Sequence, residues 1–161
     1  MNTITYEQIT EKDISKYKDL IIPMVYEELL LQENIEENYL ALAATDGDTA
    51  LGALVAEWEE DGDITLLSIW TSKDHRRDGV ASGLIKKMTE VALALYDWEG
   101  GQYGDDITIK TMYCLEDQYR EVFEAWLEKN DFTDYIILRE GTAERPEICG
   151  ATAEVHFFRT R

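Results

Sequence analysis

The sequence predicts an α/β domain: a mixed, mostly antiparallel central sheet with helices on both faces. Three observations predict it. Residues 38–70 hold three consecutive strand-like stretches separated by Asp46-Gly47-Asp48 and Asp61-Gly62-Asp63. Asp-Gly pairs readily adopt the positive φ of tight hairpin turns, so these stretches form an antiparallel meander. Two amphipathic helical stretches follow, each leading into a further strand, the order that produces crossover connections.

The elements run as follows. Residues 2–9 alternate loosely and read as an edge strand. Residues 12–32 read as helical, with Ile14, Tyr17, Leu20, Ile21, Met24 and Val25 on one stripe. Pro23 interrupts that stripe, which predicts a kink or two short helices. Strands are expected over 38–44, 51–59 and 64–70, with an acidic rim of Glu57, Glu59, Glu60, Asp61 and Asp63. The helix after residue 83 places Leu84, Ile85, Met88, Val91, Ala92 and Leu95 on one face. Residues 97–106 hold three Gly and four acids and read as a loop. The β-branched stretch 107–113 is expected to pair in parallel with 64–70. A helix over 117–130 turns Val122, Phe123, Trp126 and Leu127 inward, and strands over 134–139 and 152–158 close the sheet.

Composition bounds the function. With 161 residues, of which 45% are apolar, one domain spanning 1–161 has enough material for a real core. The chain carries 34 acidic against 15 basic side chains, a net charge of −19. Such a charge disfavours nucleic acid, whose phosphates need neutralising cations, and an anionic membrane surface. It favours cationic partners. Cys114 and Cys149 lack the CxxC spacing of a zinc site and bring only His75 and His156 with them, so no metal centre is expected. No leader or apolar run of membrane-spanning length is visible, which makes the cytoplasm the expected compartment.

One segment carries chemistry. Arg76-Arg77-Asp78-Gly79-Val80-Ala81-Ser82-Gly83 lies between an apolar strand and an amphipathic helix. The first amides of a helix lack internal partners, and the helix dipole favours an anion there. Gly79 permits an unusual turn angle and Ala81 a close approach. Arg76 and Arg77 add positive charge, and Ser82 a hydroxyl. Residues 73–87 hold five basic side chains against two acids, the clearly positive window of an acidic chain. No GxxxxGK[ST] or GxGxxG pattern is present. Two readings stay open on these grounds: a phosphate or pyrophosphate cradle, or an ordinary strand-to-helix turn with exposed basic residues.

The stretch RRDGVASGLIKKM resembles the acetyl-coenzyme A signature [QR]-x-x-G-x-[GA] of the GNAT superfamily of N-acetyltransferases, with Arg76, Gly79 and Ala81 on its defined positions. The order of elements is similar along nearly the whole chain. Asn130-Asp131-Phe132 looks like the family's helix-ending Gly-Phe, with Asp131 in the place of Gly. The resemblance implies a V-shaped opening between two central parallel strands, with acetyl-coenzyme A as acyl donor. It implies that the pantetheine arm follows the backbone around Ile69, Trp70 and Thr71. The pyrophosphate then takes the amides of Arg77, Asp78, Gly79, Val80, Ala81 and Ser82, beside Arg76. Transfer to a primary amine would be direct, without a covalent enzyme intermediate.

The residues at the family's acid and base positions depart from its pattern. Many members use a Tyr near the end of the helix that follows the second central strand; Leu127 stands there, and Arg120 stands where an Asn is frequent. Tyr119 is the candidate acid, with Tyr113 second. Thr65 occupies the place of a Glu base, which leaves Glu59 or Glu57 acting through water. Trp58, Trp70 and Trp126 are candidates for an acceptor cleft or for the core, and His75 for a phosphate contact. The 97–106 loop and the Pro23 bend are candidate cleft walls. The leading expectation is an acetyl-coenzyme A-dependent N-acetyltransferase. Its acceptor would be the amine of a cationic small molecule or peptide, and the chain would act as a monomer or homodimer. The alternative is a non-catalytic acyl-coenzyme A-binding or protein-interaction module on the same fold.

Overall fold

The computed structural model describes residues 3–58, 64–75, 79–98, 108–113, 117–129, 132–139 and 148–154. Its strands are β1 (Thr5–Gln8), β2 (Tyr39–Asp46), β3 (Thr49–Trp58), β4 (Ile64–Thr71), β5 (Thr108–Tyr113), β6 (Thr133–Arg139) and β7 (Ile148–Glu154). Its helices are α1 (Pro23–Leu30), α2 (Val80–Trp98) and α3 (Asp117–Lys129), with 3-10 turns at Ile14–Leu20, Ile35–Glu37 and Lys73–His75. The strands form one sheet in the order β1-β2-β3-β4-β5-β7-β6. Among the described residues β4 and β5 pair in parallel and the other neighbours are antiparallel. The expected α/β class and the parallel central pair are both present.

Alternation along Leu40–Ala44 of β2 and Ala53–Ala56 of β3 divides the core into two layers. Leu40, Leu42, Ala44, Leu54 and Ala56 pack on one face with Val80, Leu84, Ile85, Met88 and Ala92 of α2, and with Leu127 and Phe132. Ala41, Ala43, Ala53 and Val55 point to the other face, where Ile14, Tyr17, Leu20, Ile21, Tyr26 and Leu29 cover them. Small residues dominate this second face of the sheet. They leave room for the larger side chains of the 3-10 turn and α1 to lie close to it.

The segment around Pro23 takes the second of its two expected forms. The 3-10 turn stops at Leu20, and α1 restarts with Pro23 at its first position, where a missing amide costs nothing. The restart resets the helical phase. Met24, expected on the buried stripe, is 75% exposed, whereas Tyr26 and Leu29 face the core. The last strand begins earlier than expected: the described part spans Ile148–Glu154, and residues 155–158 of the expected 152–158 lie outside the described residues. His156 lies outside the described residues.

Burial raises the phenols of Tyr6, Tyr17 and Tyr39 above the ordinary value of 10.0. Asp13 and Glu7 add to the effect at Tyr17, and Glu57 and Glu28 at Tyr39. Because the folded values are raised, their contribution is fully present below the unfolded tyrosine pKa. It is lost as pH climbs through the folded values. Urea midpoints should therefore fall as pH rises beyond the ordinary tyrosine value of about 10. Replacing Tyr17 and Tyr39 by Phe should flatten that fall; an unchanged slope would contradict the assignment.

Candidate functional site

The site begins with an extra residue in β4. Ser68 pairs with Val55 of β3, but the next pair is Leu66 with Ala56, so Leu67 has no opposite number. This is a β-bulge, which bends a strand and increases its twist. The face pattern shows it directly. Ile64 and Leu66 point to the α2 layer, Leu67 packs on the α1 layer, and Ile69 returns to the α2 layer. Ser68 also faces the α1 side, where its Oγ accepts the Ile22 amide at 3.1 Å.

The bulge coincides with the end of the parallel pairing. Among the described residues β4 pairs with β5 through Ile64–Leu66 and Ile109–Thr111. At the last pair, the buried Thr111 hydroxyl donates to the Leu66 carbonyl at 3.3 Å. Beyond it β4 continues along β3 to Thr71, while β5 continues along β7 to Tyr113. Among the described residues the two central strands therefore form a fork opening from Leu66. Past the bulge, Ile69, Trp70 and Thr71 pair with Leu54, Ala53 and Gly52. The Ser72 amide donates to Leu51 at 2.7 Å. By alternation, the backbone groups of Ile69 and Thr71 face away from β3, toward the open side of the fork.

The same strand leads to the glycine turn. The His75 amide donates to Ser72 at 2.9 Å and closes the short 3-10 turn. Arg76, Arg77 and Asp78 lie outside the described residues. Gly79 has φ +78°, a left-handed angle costly for residues with a Cβ. Its carbonyl accepts the Gly83 amide at 2.9 Å. Val80, Ala81 and Ser82 thus supply opening amides of α2, at the positive end of its dipole.

Two glycines outside the signature's defined positions seat this helix. A Cβ on Gly52 would stand 2.8 Å from Val80 Cγ1 and 2.9 Å from the Trp70 carbonyl. Gly52 therefore lets the first residue of α2 sit directly on β3. At Gly83 a Cβ would run into the Tyr6 phenol of edge strand β1. Gly83→Ala should push that ring aside and lower stability by about 1–3 kcal/mol, read from urea unfolding. Adding Tyr6→Leu should recover part of the loss. No sequence pattern singles out these contacts, because each joins residues far apart in the chain.

The catalytic candidates are placed unevenly. Glu59 lies outside the described residues. Glu57 is exposed on β3, paired with Tyr39 on one side and Thr65 on the other. Tyr119 falls in the first turn of α3 and Tyr113 at the end of β5, with both side chains outside the described set. Leu127 is fully buried in the α2-side core, and its carbonyl accepts the Phe132 amide at 3.0 Å. That bond places Phe132 at the end of α3, as its resemblance to the family's helix-ending motif implies. Trp58 and Trp126 pack against the α2-side core, and Trp70 against the α1-side core. Among the described residues no cluster of His, Cys, Asp or Glu forms a metal site, and no helix is long and apolar enough to cross a membrane.

The sheet forks at its parallel pair, beside a helix opened by a left-handed glycine, and this arrangement is the fold of the N-acyltransferase structures compared below. The sequence profile described as the Acetyltransferase (GNAT) family matches residues 6–100, and the chain belongs to that family. Solved structures agree. One is a protein assigned to the GNAT acetyltransferases of Desulfovibrio desulfuricans: TM-score 0.72, 15% identity, covering 95% of this chain and 99% of that one. Another is the ribosomal-protein-S18-alanine N-acetyltransferase of Escherichia coli: TM-score 0.66, 14% identity, 95% and 94% covered. A third is the diaminobutyrate acetyltransferase of Paenibacillus lautus, solved with L-2,4-diaminobutyric acid and coenzyme A: TM-score 0.60, 14% identity, 96% and 97% covered. At these identities the likeness is one of fold. No curated protein matches the chain in sequence.

Proposed function

We propose that this chain transfers an acetyl group from acetyl-coenzyme A directly to the primary amine of a cationic small molecule or peptide. The observation that carries the reading is the fork: β4–β5 pairing ends at Leu66, while β4 runs on to Thr71 and into the Gly79 turn. A donor fits this path in a fixed order. Its pantetheine arm follows Ile69, Trp70 and Thr71. Its pyrophosphate takes the turn from Arg76 and Arg77 through Asp78, Gly79, Val80, Ala81 and Ser82. The thioester then lies in the fork, where backbone amides polarise its carbonyl.

The chemistry needs one bond made and one broken. The neutral amine nitrogen attacks the thioester carbon, the C–S bond breaks, and the thiolate receives a proton. Holding the two reactants together supplies much of the rate. Glu59 or Glu57, acting through water, takes the proton that the amine sheds, and Tyr119 protonates the leaving sulfur. Glu57 and Glu28 both act on the Tyr39 phenol, which places their negative charge on the α1 side of the sheet. That charge supports a cationic acceptor.

The test is thiol release from acetyl-coenzyme A with spermidine, L-lysine, an alanine-ended peptide and neutral benzylalcohol as control, alongside calorimetry with coenzyme A. Binding together with amine-dependent thiol release is expected, strongest for the polycation. The second reading, a binding module without transfer, is favoured by Leu127, a buried side chain that cannot donate a proton. It predicts coenzyme binding with no thiol release. Absence of binding would defeat both.

A further inference from the structure

We propose that Ser68 is a positioning residue, pinning the elbow before α1 to the β4 bulge and so fixing the wall that holds the acceptor amine. The inference deepens the acetyltransferase reading and rests on it. Three observations carry it.

First, Ser68 reaches the α1 side only because of the bulge. Ile64 and Leu66 face the α2 layer, so unbroken alternation would send residue 68 there too. The extra residue at Leu67 turns Ser68 over, and its buried Oγ accepts the Ile22 amide across 46 residues of chain. Second, the donor sits where the chain bends. Ile22 has φ −54° and ψ 130°, directly between the 3-10 turn and Pro23 at the start of α1. The pin therefore sets the angle at which α1 leaves the sheet. Third, the two faces of the fork have different occupants. α2 packs on one face of the sheet, and the 3-10 turn and α1 pack on the other, against β2, β3 and the Leu67 and Trp70 side chains of β4. A donor anchored at the α2 turn leaves the opposite face for the amine. The elbow lies on that side of the sheet, and so does Tyr39, on whose phenol Glu28 and Glu57 act. Loosening the pin shifts this wall and leaves the phosphate cradle in place.

The pin can be removed from either end. Ser68→Ala removes the acceptor. Ile22→Pro removes the donor, and proline suits this position because φ is already −54° and the preceding Ile21 is extended at φ −125°, ψ 137°. Kinetics would use acetyl-coenzyme A and whichever of spermidine, L-lysine and an alanine-ended peptide the wild type turns over fastest. Each single variant should raise the amine KM about fivefold, the factor that one net hydrogen bond is worth. Coenzyme A affinity by calorimetry should stay within about twofold, and the double variant should be no worse than either single one. A general loss of structure would instead lower both affinities, and two unrelated effects would multiply. An active wild type with unchanged amine KM in both variants, additive effects, or parallel loss of coenzyme binding would overturn the pin alone. A wild type that binds coenzyme A but acetylates none of the three amines would overturn the parent reading, and this one with it. Should Ser68→Ala fail to fold, Ile22→Pro carries the same comparison.

Discussion

Gly79→Val is expected to weaken coenzyme A binding by at least about tenfold while the protein stays folded. The reason is conformational. At φ +78° a β-branched residue is strained, at a cost of about 1–3 kcal/mol. A Cβ at Gly79 would meet nothing within 4 Å, so packing adds no penalty. The chain can relieve the strain by rotating the turn, and that rotation re-aims the amides at the opening of α2. The loss should therefore fall on binding rather than on global stability. Gly79→Asn is the control, because asparagine tolerates the left-handed region; it should keep most of the affinity. Calorimetry with coenzyme A and a thermal melt separate the outcomes. A folded valine variant with wild-type affinity would mean that the turn does not hold the pyrophosphate. Arg76→Glu tests the same cradle through charge and should weaken binding in the same direction.

Gly52→Val should have the largest effect on stability, a loss of about 3 kcal/mol. The new side chain meets the Trp70 carbonyl, which is backbone and cannot rotate away, and Val80 Cγ1 at 2.8 Å. At this chain length the loss corresponds to roughly 10 °C in melting temperature. Val80 is the first residue of α2, so displacing it also disturbs the opening amides. Coenzyme affinity should fall together with stability, unlike Gly79→Val, where the loss falls mainly on affinity. A variant that melts like the wild type would show that α2 does not sit on β3 as closely as described.

Much of the fold was legible because it rests on local periodicity. Alternation in 38–70 placed β2, β3 and β4 to within a few residues, and the apolar stripe of α2 proved to be its core face at Leu84, Ile85, Met88 and Ala92. Two elements were less legible. The stripe through Met24 ran across Pro23 as though the helix were continuous, and the restart moved Met24 into solvent. The strand at Ile148–Glu154 contains Gly150 and small residues rather than a clear alternation. It is held by β5 on one side and β6 on the other, a cause that lies outside its own sequence.

The site divides along the same line. The sequence by itself determined the glycine that a left-handed turn requires, the position of that turn between a strand and an amphipathic helix, and the family these define. Those features depend on neighbours within a few residues. Tertiary structure alone decided where the central strands part. It turned Ser68 toward the α1 elbow through the extra residue at Leu67, and it made Gly52 and Gly83 the seats of α2. Each of these depends on pairing register or on contact between distant segments, which a linear pattern does not encode.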